Sequence, residues 1–278
     1  MLRLSDRDRF LLLQLRSFCL TSRLIGQATQ RHSKPFTGYE GMYRRLNQLV
    51  RAGYINRRRM LWNGEYYYYL GKKGAELLKA DGIYVPARAT KPIGDALQRH
   101  EYEVARFWLK FWQDCENANL PIFSFWRDGE LAFASRQVKP DGTILVSIGK
   151  TPVIFFLELD RSTQSSCGTK GNLQSFRGKM ERYLKARQTI LKHPEIASHS
   201  VTKFRILVAC QTSERMEHLM KATQLSGMNH LALFTFQEQW INSHSFTSRG
   251  WRYRNCNFLT EELFAFPGRS PPKGLVQS

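Results

Sequence analysis

Asp141, Glu158 and Asp160 are carboxylates spaced across an apolar hairpin in a way that suits a divalent cation. The segment reads Lys139-Pro140-Asp141-Gly142, then Thr143-Ile144-Leu145-Val146-Ser147-Ile148, a Gly149-Lys150-Thr151-Pro152 turn, and Val153-Ile154-Phe155-Phe156-Leu157 before Glu158-Leu159-Asp160. Both apolar runs are short, β-branched or aromatic, and bounded by Gly and Pro, which predicts two buried strands. Side chains alternate along a strand, so Glu158 and Asp160 share a face, and Asp141 on the adjoining strand approaches them across the hairpin. Acids at the end of an apolar strand are costly to bury uncompensated. Hard cations, which take oxygen ligands, are the usual compensation. Such a centre suits phosphodiester cleavage, in which Mg²⁺ or Mn²⁺ polarises a phosphoryl oxygen and activates a water. The competing reading is a buried salt-bridge network in which Arg161 and Lys179 neutralise the acids.

Composition points the same way. The chain has 278 residues, 42% of them hydrophobic, enough for two modest folded domains. Its formal net charge is +19, a larger one-sided excess than solubility requires, and the natural partner of such a surface is nucleic acid. Residues 1–92 hold 18 Lys and Arg against 6 Asp and Glu, so +12 of the excess sits in the first third and +7 in the rest. The five cysteines are scattered with no CxxC pair, which fits a reducing cytoplasm and argues against a cysteine-rich zinc module. No signal peptide is seen and no apolar run approaches ~18 residues, so no membrane span is expected and the expected location is cytoplasmic.

The elements that position these residues divide into two expected domains, 1–85 and 93–266, joined by Pro86-Ala-Arg-Ala-Thr-Lys-Pro92 and followed by a disordered tail at 267–278. Ser5-Asp6-Arg7-Asp8 caps a first helix with the stripe Phe10, Leu13 and Ser17. Thr21 caps a second helix through Leu24, Ile25 and Ala28. A third spans about 39–52, with Met42, Leu46, Leu49 and Val50 inward and Gly53 at the C-cap. Strands at 54–61 and 65–70 flank Trp62-Asn63-Gly64, a strong hairpin signal. Three helices and a basic hairpin describe a winged helix-turn-helix. Arg44, Arg45, Asn47, Gln48 and Arg51 on the third helix are types that read base edges, and Arg57, Arg58 and Arg59 on the wing suit phosphates. The alternative is a solvated basic face of a protein-interaction domain.

After the linker the pattern is α/β (α+β). A helix at 94–116 carries the stripe Leu97, Val104, Ala105, Trp108, Trp112 and Cys115, which also takes in Glu101. Strands follow near 122–126, 131–138, 143–148 and 153–159. A helix at 173–192 is expected to bury Phe176, Met180, Leu184 and Leu191 while showing Arg177, Arg182 and Lys185. A strand at 204–210, a helix at 214–225 and a strand at 231–236 complete a mixed sheet flanked by helices. No Walker-type loop or His-rich relaxase triad with a Tyr nucleophile is visible.

Pro140-Asp141, the hairpin and Glu158-Leu159-Asp160 resemble the PD-(D/E)XK restriction-endonuclease-like fold. Over about residues 5–240 the chain resembles the replication-relaxation family of plasmids and related mobile elements. The matching residues are the run from Tyr69 to Ala75, His100-Glu101, Lys139-Pro140-Asp141, the run from Phe155 to Thr163, Lys179 and Tyr183. The resemblance implies a winged helix joined to a nuclease-like domain. Asp141, Glu158 and the Leu159 carbonyl would hold Mg²⁺ or Mn²⁺, with Glu101 bound through water and Asp160 either a further ligand or a partner of Arg161. Nucleases of this fold have Lys where this chain has Asp160, and Lys170 or Lys179 on the following helix can take over that role. The implied activity is metal-dependent nicking or cleavage of DNA, relaxase-like, in mobilisation or replication of a mobile element. The alternatives are a catalytically inactive regulator or replication initiator, and a structural adaptor. The expected partner is double-stranded DNA, including DNA with a single-stranded region, and a homodimer is among the expected states.

Overall fold

A computed structural model describes residues 2–127, 130–131, 138–149, 151–161, 175–202, 204–225 and 232–242. Most of the strand expected at 131–138, Lys170, and the tail at 267–278 lie outside these residues. The chain divides into two compact units, Met1–Lys110 and Phe111–Ser278. The expected linker at 86–92 belongs to the first unit. There Val85, Pro86, Ala89 and Ile93 are buried, and the Ile93 amide donates to Tyr67 Oη at 3.1 Å. Among the described residues no helix is long and apolar enough to cross a membrane.

The first unit runs α1 (Asp6–Ser17), β1 (Leu20–Thr21), α2 (Ser22–Thr29), α3 (Tyr39–Arg51), β2 (Ile55–Arg59), β3 (Tyr66–Leu70) and α4 (Lys72–Ala80). Its antiparallel sheet has the order β1-β3-β2. Thr21 Oγ1 caps α2 by accepting from the Leu24 amide at 3.4 Å. Gly53 follows α3 at φ 79°, the left-handed conformation that ends a helix. Gly64, at φ 73°, closes the β2–β3 turn.

The inward stripe of α1 differs from the expected one. Asp8, Leu11, Leu12 and Leu15 are buried, whereas Leu13 is 39% exposed. This set has the i, i+3, i+4, i+7 spacing of a helix face but includes a carboxylate. Arg45 of α3 makes that possible. Its Nε donates to Asp8 Oδ1 at 3.1 Å and its Nη2 to Oδ2 at 2.6 Å, while the Ser5 amide and hydroxyl also donate to Oδ2. Burial alone would raise the Asp8 pKa, but Arg45 and Ser5 outweigh it and hold the carboxyl below its usual range.

The division between the units falls inside α5 (Gln98–Asn117). The second unit continues with β4 (Ile122–Arg127), β5 (Gly142–Ile148), β6 (Thr151–Asp160), α6 (Phe176–Leu191), α7 (Pro194–Ala197), β7 (Phe204–Cys210), α8 (Ser213–Leu225), β8 (Ala232–Phe236) and α9 (Gln237–Asn242). These strands form one sheet in the order β4-β5-β6-β7-β8. The β4–β5 and β5–β6 pairs are antiparallel, and β6–β7 and β7–β8 are parallel, so the sheet is mixed with β6 at its centre. Alternation along β6 separates two cores. Phe155 meets Phe111 of α5, with ring centroids 5.9 Å apart. Ile154 and Phe156 join a cluster with Met180, Tyr183 and Ile190 of α6 and Met216 and Leu219 of α8.

The buried stripe of α6 is Phe176, Met180, Tyr183, Ala186 and Ile190. The expected Leu184 is instead 42% exposed, and Leu191 is only partly buried. Tyr183 takes the inward position because its ring packs beside Phe156 and Phe204 while its hydroxyl finds an acceptor beneath it.

The Asp8–Arg45 pair is expected to anchor α1 to α3. Arg45→Ala strands a fully buried carboxylate and should cost about 3 kcal/mol, the low end for such pairs because Arg45 is partly exposed. Urea unfolding of the single variants and of Asp8→Leu/Arg45→Leu checks this. A loss below about 1 kcal/mol in the Arg45 variant contradicts the anchoring role.

Candidate functional site

The acids collect at one end of the β5–β6 hairpin. Asp141 immediately precedes β5, and its amide donates to the Leu157 carbonyl at 2.9 Å, extending the ladder past the Gly142–Leu157 pair. Its Oδ2 accepts the Leu159 amide at 2.7 Å. A carboxylate cradled in this way is fixed relative to the strand that carries Glu158. A Cβ at Gly142 would stand 3.0 Å from the Phe125 ring on β4, a tight contact to which that ring would have to yield.

Glu158 and Asp160 both face the side of the sheet covered by α6 and α8, as a side-chain period of two demands. Glu158 is 3% exposed. Its Oε2 accepts from Lys179 Nζ and its Oε1 accepts from Tyr183 Oη at 2.6 Å. Lys179 and Tyr183 stand one helical turn apart on α6, whose N-terminus is capped by Ser175 Oγ accepting from the Gly178 amide at 3.0 Å. Burial is the main influence on Glu158 and pushes its carboxyl up to about 7, and the Asp141 charge adds to the rise. Lys179 and the hydrogen bond from Tyr183 oppose it. Burial pulls Lys179 the other way, but the charges of Glu158 and Asp141 prevail and leave its pKa raised. The Tyr183 hydroxyl is held well above its ordinary range, first by burial and then by the carboxylates.

Asp160 has a partner that the sequence did not suggest. Arg215 of α8 grips it through two bonds, Nε to Oδ2 at 2.7 Å and Nη2 to Oδ1 at 3.0 Å, and both side chains are largely buried. Glu101 is half-buried in the first turn of α5, within the first unit. The structure therefore brings Asp141, Glu158 and Lys179 together and assigns Asp160 to Arg215. Tyr183 was legible only as a residue matching a family pattern. Arg215 gave no signal in sequence, because its partner lies 55 positions away.

Among the described residues no group of three or more His, Cys, Asp or Glu is arranged to hold a metal ion. Asp141 and Glu158 nonetheless provide the hard oxygens that Mg²⁺ takes, and Mg²⁺ ordinarily uses one or two carboxylates with the remaining positions filled by water. Burial is the larger cause of the rise at Glu158, and the smaller part that comes from the Asp141 charge is what a cation would relieve. The residues fit a two-carboxylate site.

The basic face of the first unit is partly engaged internally. Arg45, inward on Asp8, also donates to Gln48 Oε1 at 2.9 Å. On the exposed side, Arg57 donates to Asn47 Oδ1 at 2.8 Å and lies over the Tyr66 ring at 5.1 Å, which joins α3 to the hairpin. Arg58 pairs with Asp95 at 3.1 Å, Arg59 Nε donates to the Gly64 carbonyl at 2.9 Å, and Arg44 pairs with Glu40 at 2.8 Å. Arg51 is exposed in the last turn of α3.

The raised Glu158 sets a sign for pH dependence. Unfolded, the group releases its proton near 4.5, whereas the folded chain retains it to about 7. The stability it contributes is complete below the lower value and is lost as pH rises through the upper one. Unfolding free energy should therefore fall from about pH 5 to about pH 8 more steeply in the native chain than in Glu158→Gln. Equal slopes in urea titrations would mean that Glu158 ionises normally.

Residues 15–198 match the model of the replication-relaxation family. No curated protein matches the chain. Among solved structures it is similar to restriction endonuclease FokI, at 14% identity and a TM-score of 0.30, and to FokI bound to DNA, at 14% identity and a TM-score of 0.27. Each comparison covers 87% of this chain and 45% of the other, so the chain spans less than half the length of those proteins. The family match takes in both the α3–hairpin region and the hairpin that carries Asp141 and Glu158, and on that ground the chain belongs to the replication-relaxation family.

Proposed function

We propose that this chain is a DNA-binding protein that nicks or cleaves DNA with Mg²⁺ or Mn²⁺, in the replication or mobilisation of a mobile element. The observation that carries the reading is the convergence of Asp141, Glu158 and Lys179 at the end of the β5–β6 hairpin. In this reading Asp141 and Glu158 hold the cation, with the Leu159 carbonyl a third oxygen. The cation, when bound, polarises a phosphoryl oxygen and acidifies a water. Lys179, which pairs with Glu158, takes the cationic role that a lysine at position 160 would have had. Tyr183 holds Glu158 in one rotamer. Burial on both sides of β6 keeps the surroundings low in dielectric, where fixed charges act most strongly.

The first unit supports delivery to DNA. Its order of helices and a hairpin is that of a winged helix-turn-helix, with α3 as the reading helix and β2–β3 as the wing. Exposed Arg44, Arg51 and Arg57, with the half-buried Asn47 beside Arg57, are its polar groups best suited to DNA, and Arg58 and Arg59 add positive charge to the wing. Double-stranded DNA is the partner we propose, with a homodimer compatible with it. Arg45 is better assigned to holding α3 in place than to reading bases.

One observation favours a second reading. Asp160 occupies the usual lysine position and is tied to Arg215, and the acids at the site number two among the described residues. A regulator or replication initiator whose nuclease-like domain is inactive has the same architecture.

Plasmid nicking with Mg²⁺ or Mn²⁺ separates the two. The active reading expects nicking that is lost to EDTA and reduced at least about 100-fold by Asp141→Asn, Glu158→Gln or Lys179→Met, with DNA affinity retained. Calorimetric titration with Mn²⁺ should show a proton released on binding near pH 7, since the cation favours ionised Glu158. Neither nicking nor Mn²⁺ binding, with or without DNA, leaves the regulator.

Replacing Arg57, Arg58 and Arg59 together by Ala should flatten the dependence of log K on log salt by about 0.9 for each phosphate no longer neutralised. An unchanged slope and affinity would remove the wing from the interface.

A further inference from the structure

Helix α6 has a second face that the site does not use. From Arg177 to its C-cap Lys192 there are six basic residues and one acid, Glu181. That acid is already paired with Arg177 at 3.1 Å. An ordinary surface helix intersperses the two signs, because like charges three or four residues apart destabilise it. Here Lys179, Arg182 and Lys185 follow one another at steps of three. Lys185 and Lys192 are exposed, and among the described residues neither makes an ion pair.

The positions form a line. At 100° per residue, Lys185 and Lys192 lie within about 20° of each other on the outer surface. Arg182 occupies the shoulder between them and the inward Lys179, and its charge acts on both Lys179 and Tyr183. Arg187, also exposed, lies about 160° from Lys185 and points away from this line. The line from Lys179 to Lys192 is about 20 Å long, over which one strand of DNA presents about six phosphates.

We infer that the outer face of α6, through Arg182, Lys185 and Lys192, is a second DNA-backbone contact that leads a strand toward Lys179 and Glu158. The inference rests on the reading of Asp141, Glu158 and Lys179 as a phosphodiester site. It adds an interaction surface separate from the winged unit. Phosphate is the partner that such a row selects. A protein partner would need matching acids at the same spacing together with an apolar centre, and the one large apolar side chain exposed within the row is Leu184.

The test measures binding without cleavage. The full chain in EDTA is titrated with a fluorescent random-sequence duplex over a range of salt. Lys185→Ala/Lys192→Ala should reduce the slope of log K against log salt by about 1.8, two phosphates at about 0.9 each, while Arg187→Ala leaves it unchanged. Slope and affinity equal to wild type in the double variant would overturn the inference, as would an equal loss in the Arg187 control, which would indicate only general charge. A reduced slope in a chain that never nicks DNA under Mg²⁺ or Mn²⁺ would uphold this DNA-binding face and defeat the nuclease reading.

Discussion

A glutamate buried at the end of the central strand is the constraint on which the second unit depends. Glu158 cannot remain in an apolar layer without compensation, since an isolated buried carboxylate would cost far more than a folded domain has in reserve. Lys179 and Tyr183 supply the compensation from one face of α6. That requirement sets the rotation of α6 about its axis, which turns Tyr183 inward and Leu184 outward. Packing alone would have accepted either phase. The polar contact selects one, and the hydrophobic layer of Met180, Ala186 and Ile190 follows.

The same logic recurs at two other acids. Asp160 is buried and held by both nitrogens of an Arg215 fork, tying the end of β6 to the start of α8. Asp8 is buried in α1 and held by Arg45, tying α1 to α3. In each case the neutralising partner arrives from the next packed helix. Arginine suits two of the three positions because its planar fork matches a carboxylate. Glu158 has a lysine instead, a compact charge that shifts its pKa readily and can be shared with another anion. That difference is a physical reason to look for chemistry at Glu158 and for architecture at Asp8 and Asp160.

Charge also separates the chain into surfaces of different use. The basic excess is large, but some of the arginines expected to face DNA are tied inward or to neighbouring acids, as Arg45 and Arg58 are. Among the described residues, outward cations stand on α3, on the β2–β3 hairpin, on α4 and along α6. Phosphate binding through counterion release needs accessible cations rather than a high net charge, so the exposed rows matter more than the total. On the reading proposed above, cations on both units would offer DNA more than one contact.

The sequence by itself determined the elements and the face of the acids. Alternation in Val153-Ile154-Phe155-Phe156-Leu157 put Glu158 and Asp160 on one side of a buried strand, and Pro140-Asp141-Gly142 put a third acid across the turn. Thr21, Gly53 and Asn63-Gly64 marked caps and a hairpin through local backbone preferences, which need no distant partner. Local pattern failed at α1 and α6, where apolar spacing suggested Leu13 and Leu184 as core. There the inward positions went to Asp8 and Tyr183, polar groups that become inward only when Arg45 and Glu158 meet them from elsewhere in the fold. The choice of Lys179 for Glu158 and Arg215 for Asp160 was likewise decided by tertiary structure. Charge pairing acts through space across 21 and 55 positions of chain, and periodicity along one helix or strand carries no information about it.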